Sequence, residues 1–305
     1  MNIVFFGTPE FAVPSLEAII KAGHSVRAVV TKHDAGRRAV PSPVKLLAEA
    51  AALRVLQPHS IRTPEFMDVM RPLSPDAIVV VAYGKILPSE LLSLPPRGCI
   101  NVHASLLPRY RGAAPIQRAI INGETQTGVT TMLMDEGVDT GSAFLSAKTA
   151  ITGSDTALSL TVRLAALGAV TLIETLNGID RGTLKATAQV GVATYAPPIN
   201  KDDCLIQWTR PAVEIVNLIR GLSPFPGAYT VIGGRRVKIL RAVVSGVPPG
   251  GHAPGEIARQ GHLLIAASDG LVSVEELQPE GKKPMQCRDY LCGLANKGKE
   301  TLHVG

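Results

Sequence analysis

At 305 residues the chain is longer than most single hydrophobic cores support, so two domains are expected, with one large domain as the alternative. Hydrophobic residues at 46% against 18% charged exclude a disordered chain, and a net charge of +6 directs attention to anionic partners. The four scattered cysteines, Cys99, Cys204, Cys287 and Cys292, exclude a disulfide framework and zinc-finger spacing.

The opening MNIVFFG has neither a charged leader nor a small-residue cleavage pattern, and the apolar stretches read as too short to cross a bilayer. A cytoplasmic protein with no membrane partner is therefore expected. The first 180 residues alternate apolar runs with segments of helical period, the pattern of parallel strands joined by crossover helices. IVFFG, VRAVV, AIVVVAY and CINVHA are short, continuous and rich in β-branched residues, which predicts buried strands. VPSLEAIIKAG, SPVKLLAEAAAL and TPEFMDVM predict helices between them. Pro14 suits an opening turn and Gly23 a C-cap, while Thr63, Pro64 and Glu65 supply an N-cap, a first-position proline and early negative charge. A long helix is expected from a Ser154–Asp155 cap to Gly178. From Gly182 to about Gln207 there is little periodicity and a Pro197–Pro198 pair, which reads as a linker.

Beyond Thr209 come one short helix in PAVEIVNLIRG, a turn-rich SPFPG and a hairpin signalled by Gly233–Gly234 between β-rich flanks. GEIARQG, HLLIAASDG and LVSVEELQP follow as short strands, which suits a small OB-like β-barrel. The fold class is α/β: a Rossmann-like, mostly parallel sheet with helices on both faces over residues 1–181, a linker over 182–207, and an OB-like domain over 208–305.

Charge is unevenly spread. Residues 206–305 hold 12 Lys and Arg against 8 Asp and Glu, and no acidic residue falls between Glu214 and Glu256, where Arg220, Arg235, Arg236, Lys238 and Arg241 stand. That is a basic face suited to a polyanion, with a solvated charged hairpin as the structural alternative.

Gly7 follows the first strand as in a dinucleotide-binding fold. The full glycine fingerprint and an acidic residue closing the second strand are absent, which argues against a nicotinamide-dependent dehydrogenase. INVHASLLPRYRG carries more chemistry. Asn101 and His103 stand two apart at a strand end, where open parallel sheets bind ligands, and MLMDEGVDTG places Asp135, Glu136 and Asp139 close together between glycines. An amide, an imidazole and a carboxylate suit acyl transfer. A hydrolase built on Ser105 and His103 lacks a third orienting group, there is no GxSxG elbow, and Cys99 has no activating partner in the sequence. The other histidines sit beside turns or termini, and no ligand spacing around His103 implies a metal.

Taken together, FFGTPEFAVPSL, PSPVK, VVVAYGKILP, GCINVHASLLPRYRGAAPIQRAI, GVTTMLMDEGVDTG and QPEGKKPM resemble the methionyl-tRNA formyltransferase family over nearly the whole chain. The resemblance implies transfer of a formyl group from 10-formyltetrahydrofolate to the α-amino group of methionyl initiator tRNA, with no metal and a monomeric enzyme. It implies that Asn101, His103 and Asp139 are catalytic, and that Ser105, Leu106, Leu107 and Pro108 contact the folate. The loop TKHDAGRRAVPSPVK is shorter than the family's usual basic insertion. Arg37 and Arg38 are expected to reach the tRNA from it, with a merely mobile loop as the alternative. Arg235, Arg236, Lys238, Lys282 and Lys283 are expected to bind the tRNA from the second domain. Two alternatives stand beside this: a formyltransferase acting on a small amine (glycinamide ribonucleotide or an amino-sugar nucleotide), and an RNA-binding protein without catalytic activity.

Overall fold

A computed structural model describes residues 1–34, 40–248, 250–259 and 263–295 and divides them into two compact units. The first unit comprises Met1–Pro115, Gln126–Ala150 and Thr161–Pro197; the second comprises Ile116–Thr125, Ile151–Leu160 and the chain from Pro198. In chain order the elements up to Asp180 are β1 (Asn2–Gly7), α1 (Val13–Lys21), β2 (Ser25–Val30), α2 (Pro43–Ala50), β3 (Val55–Leu56), α3 (Pro64–Met70), β4 (Ala77–Val81), α4 (Ser89–Leu92), β5 (Cys99–His103), α5 (Pro115–Ile121), β6 (Gln126–Leu133), β7 (Ala143–Ala150) and α6 (Ala157–Asp180).

The sheet of the first unit runs β3-β2-β1-β4-β5-β6-β7. Its first five strands are parallel, and β6 and β7 return antiparallel at the edge. The apolar runs are continuous because both faces are covered. Ile3, Phe5, Val79, Val81, Ile100 and Val102 point to one core with α1 and α2. Val4, Phe6, Ile78, Val80 and Cys99 point to another with Phe66, Met67 and Met70 of α3. Burying each phenylalanine of β1 contributes roughly 1.5–3 kcal/mol. By alternation Asn101 and His103 leave β5 on the same face as Cys99.

The helix boundaries follow local chemistry. Thr63 caps α3 by accepting from Phe66 N, with Pro64 in the first turn, and Ser42 caps α2 by accepting from Lys45 N. Gly23, at φ +77°, lies one residue past the α1 cap, and the amides of Gly23 and His24 close on Ile20 O and Ile19 O.

The long helix differs from its expectation at both ends. Its cap is Thr156, whose hydroxyl accepts from Ser159 N while Thr156 N donates back to Ser159 Oγ. Asp155 is buried and instead ties Thr152 N and Ser159 Oγ. The helix runs through Gly178, which packs against Leu184, and it ends when Gly182 turns to φ +70°. At 24 residues α6 is long and apolar enough, by length and composition, to cross a bilayer, contrary to the sequence expectation. Leu172 and Leu176 are nevertheless buried in the core of the first unit, and Thr175 Oγ1 lies 2.7 Å from Thr131 Oγ1 of β6.

The second unit adds α7 (Ala212–Leu222), β8 (Ala228–Ile232), β9 (Arg235–Ser245), β10 (Ile257–Arg259), β11 (Leu264–Ala266), β12 (Leu271–Pro279), β13 (Met285–Gln286) and α8 (Cys287–Ala295). The strands pair in the order β10-β11-β12-β9-β8, with β13 on β12, as a curled antiparallel sheet. Among the described residues no ladder joins β8 to β10, so the OB-like expectation is met as a half-barrel. Gly233 and Gly234, at φ +56° and +73°, make the two-residue turn between β8 and β9. Ile215, Ile219 and Leu222 of α7 fill its core with Trp208, Val237, Ile239, Val272 and Leu277, and Trp208 Nε1 donates to Thr230 Oγ1 at 3.0 Å.

A Gly182→Ala substitution forces a side chain into the left-handed region although nothing crowds the position. It is expected to lower stability by about 1 kcal/mol, read as a lower midpoint in thermal or urea unfolding.

Candidate active site and basic surface

The strand register builds the site. Asn101 pairs with Val80 of β4 and Met132 of β6, and His103 pairs with Thr130. Gly128, lower on β6, leaves room for Leu106: a Cβ there would lie 2.6 Å from the leucine side chain and 2.1 Å from Ala147 O. The loop after β5 is thus laid flat on β6. Thr130 Oγ1 donates to Ser105 O at 2.8 Å and accepts from Leu107 N at 3.1 Å, and Ser105 Oγ donates to Arg109 O at 2.6 Å.

His103 is buried, 6% exposed, and both ring nitrogens have partners. Nε2 lies 2.9 Å from Tyr110 O, and Nδ1 lies 3.5 Å from Asp139 Oδ2. A carbonyl oxygen only accepts, so Nε2 carries a hydrogen. Nδ1 and the Asp139 carboxylate then face each other at ion-pair range. Asp139 adopts φ +53°, and the same Oδ2 accepts from Gly112 N at 2.8 Å. Asn101 is half-buried, and its side-chain amide makes no hydrogen bond among the described residues.

The aperiodic segment after α6 completes this arrangement within the first unit. Thr187 exchanges both backbone hydrogen bonds with Ala143. Arg111 N donates to Thr194 O, Ala196 N to Arg111 O and Ala114 N to Ala196 O, while Tyr110 N donates to Thr194 Oγ1. Gln189 Nε2 donates to Asp139 O at 2.9 Å and Gly141 O at 2.8 Å, and Gln189 Oε1 accepts from Arg111. Sequence reasoning did not single out Gln189, Thr194 or Thr130. Only Thr130 carried a signal, through its place opposite His103.

A cavity of ≈ 330 Å³ opens beyond β3 and β4, lined by His59, Ser60, Ile61, Arg62, Lys85 and Ile86. Lys85 Nζ donates to His59 O at 3.1 Å, and His33 stacks on His59 with centroids 4.3 Å apart. No group of three or more metal-ligating side chains occurs among the described residues.

Five of the seven predicted basic residues lie near one another in the second unit. Arg235, Arg236, Lys282 and Lys283 are exposed and Lys238 is half-buried. Glu280 N donates to Arg236 O, and Gln278, paired with Lys238, donates to Lys282 O, which sets the 282–283 turn beside β9. The Arg236 guanidinium stands 3.8 Å from the Tyr229 ring centroid, and Lys238 Nζ 5.9 Å from that of Phe225. Arg220 donates to Thr152 O and Asp155 O and so serves the fold, while exposed Arg241 is paired at the surface with Glu275. Arg37 and Arg38 lie outside the described residues.

The doubly covered sheet thus carries an amide and an imidazole near the end of β5, with a carboxylate on the loop between β6 and β7 facing the imidazole. The model described as formyl transferase matches residues 1–176, and that described as formyl transferase, C-terminal domain, matches 198–295. The methionyl-tRNA formyltransferase of Pelotomaculum thermopropionicum is 46% identical over 299 residues, covering 96% of each chain. The chain belongs to the methionyl-tRNA formyltransferase family. Among solved structures, the N-formyltransferase from Helicobacter canadensis, in complex with folinic acid and dTDP-3-aminofucose, shares the fold with a TM-score of 0.69 at 21% identity, covering 91% of this chain and 98% of that one. HypX from Aquifex aeolicus gives a TM-score of 0.69 at 17% identity; the match covers 98% of this chain but spans only 48% of HypX.

Burial pushes the Cys99 thiol up to about 12 and raises those of Cys204 and Cys287, whereas Cys292 is exposed. Thiolates are the reactive form, so iodoacetamide near neutral pH is expected to label Cys292 in the native protein well ahead of the other three. Peptide mass mapping checks this, and early labelling of Cys99 would contradict it.

Proposed function

We propose that this protein transfers the formyl group of 10-formyltetrahydrofolate to the α-amino group of methionyl initiator tRNA, with Asn101, His103 and Asp139 carrying the chemistry. The observation that supports it most directly is the uncommitted Asn101 amide beside the His103–Asp139 pair. The neutral amine attacks the formyl carbon, and the carbonyl oxygen becomes an oxyanion in the tetrahedral intermediate. Asn101 has two amide hydrogens to give it. One proton leaves the amine and one arrives at the folate nitrogen as the carbon–nitrogen bond to the folate breaks. Nδ1, facing the Asp139 carboxylate, is a suitable relay for that exchange. No enzyme nucleophile is needed, consistent with the inert Cys99.

The folate is a polyanion at its glutamyl end, and Arg62 and Lys85 on the cavity wall suit those carboxylates. Ser105 and the backbone of its loop are engaged with the sheet, so Leu106, Leu107 and Pro108 meet the folate through apolar surface. Arg235, Arg236, Lys238, Lys282 and Lys283 suit tRNA phosphates, and Arg37 and Arg38 suit the same role from the first unit. Catalysis is assigned to 1–181 and tRNA binding to 208–305, and the stretch 182–207 between them is more than a linker, since residues 187–196 are hydrogen-bonded into the first unit. The reading also implies a cytoplasmic monomer.

Formyl transfer to methionyl initiator tRNA, with elongator methionyl-tRNA, glycinamide ribonucleotide and an amino-sugar nucleotide as competing acceptors, tests the assignment. Asn101→Ala is expected to lower kcat by about 3–4 kcal/mol of transition-state stabilisation, two to three orders of magnitude. Transfer only to a small amine would replace the acceptor while keeping the chemistry. An inactive parent chain that binds RNA and ignores folate would reject it. In the second unit, Arg236→Ala and Lys282→Ala are each expected to weaken tRNA binding and to flatten its log–log salt dependence by roughly 0.7–0.9 for each phosphate the variant no longer neutralises. An unchanged slope would remove that residue from the interface.

A further inference from the structure

We infer that Gln189 is a positioning residue for the transfer reaction, holding Asp139 in its working conformation from a segment some 50 residues further along the chain. The inference rests on the reading that Asp139 acts in the transfer. Asp139 sits at φ +53°, a conformation uncommon among residues with side chains, and contacts on both its carboxylate and its carbonyl can hold it there. Gly112 N grips the carboxylate, and Gln189 Nε2 grips the carbonyl.

The orientation of the Gln189 amide is dictated by chemistry. Arg111 offers only donors, and its Nε and Nη2 lie 3.2 and 2.6 Å from Oε1. The oxygen must face the guanidinium, so the NH2 must face the carbonyls of Asp139 and Gly141. One amide thus uses both its hydrogens and its oxygen, and a reversed amide would set donor against donor and acceptor against acceptor. Gln189 is also fixed along the chain, because it lies between two backbone tie points, Thr187 with Ala143 and Tyr195 with Arg111. The residue that follows Arg111 supplies the other grip on Asp139, so the two holds belong to one unit of structure.

Substitutions separate this role from simple anchoring of the segment. Gln189→Glu keeps an acceptor for Arg111 but sets a carboxylate oxygen against two carbonyl oxygens. Gln189→Ala removes every bond. Val190→Ala, at a side chain 90% exposed, is the control. Both Gln189 variants are expected to lose roughly 10- to 100-fold in kcat, with KM for the folate and the tRNA within about twofold. Hydrogen exchange gives a readout independent of activity. In both variants the Gly112 amide is expected to exchange about tenfold faster, while the Arg111 and Ala114 amides, bonded to the backbone of the segment, keep their parental rates.

Full activity in Gln189→Glu would mean that the Arg111 bond alone matters and would overturn the proposal. So would an unchanged Gly112 amide, or acceleration of all three amides together. If the parent chain transfers no formyl group yet Gly112 still responds selectively, the positioning of Asp139 stands and the proposed reaction falls.

Discussion

The carbonyl oxygen of Tyr110 has no proton to give, so Nε2 of the His103 ring must carry the hydrogen between them. With Nε2 committed as a donor, Nδ1 is the only ring atom that can exchange a proton, and it faces Asp139. Tyr110 itself adopts φ +57° and donates its own amide to Thr194, so the carbonyl that fixes the imidazole is aimed by the segment that follows α6. A histidine free to choose its tautomer would split its population between forms, and only the neutral form with hydrogen on Nε2 turns Nδ1, as a bare acceptor, toward Asp139. The surroundings of His103 remove that choice before any substrate binds.

Around this centre the fold supplies two different kinds of rigidity. The strands that deliver Asn101 and His103 are packed from both sides by continuous apolar surface, so their position is set by the hydrophobic core. The loops that deliver Tyr110, Gly112 and Asp139 have little core of their own and are held by hydrogen bonds from Thr130, Thr194 and Gln189. The second unit solves a different problem: it keeps Arg235, Arg236, Lys282 and Lys283 exposed while Arg220 is held by backbone carbonyls and Arg241 is paired at the surface with Glu275. What is left for an anion is smaller than the basic residue count of that stretch suggests, and it is interleaved with the rings of Tyr229 and Phe225.

The legibility of these features in the sequence divides along the same line. The strands were readable because burial on both faces demands unbroken β-branched runs, and the helix starts because Thr63 and proline leave a local signature. Asn101 and His103 stood out as polar residues closing an apolar strand. The start of α6 was misplaced by one capping residue, since Ser154, Asp155 and Thr156 offer equivalent chemistry and only the fold selects Thr156. Its end was misplaced because Gly178 serves close packing against Leu184, whereas Gly182 is the residue that turns. Gln189 was invisible: it sits in a stretch without periodicity, and its partners are two backbone carbonyls and a guanidinium far away in the chain. Such bonds leave no pattern at the residue that makes them.

The position of that segment has a consequence for synthesis. Every side chain proposed for the chemistry lies within the first 139 residues, yet the bonds that aim Tyr110 and Asp139 come from residues 189–194. A chain leaving the ribosome emerges N-terminus first and folds in that order. The sheet can therefore assemble around an unfinished centre, which becomes ordered only when the stretch beyond α6 has cleared the exit tunnel. A chain truncated ahead of that stretch keeps every strand of the sheet but lacks the bonds that aim Tyr110 and Asp139.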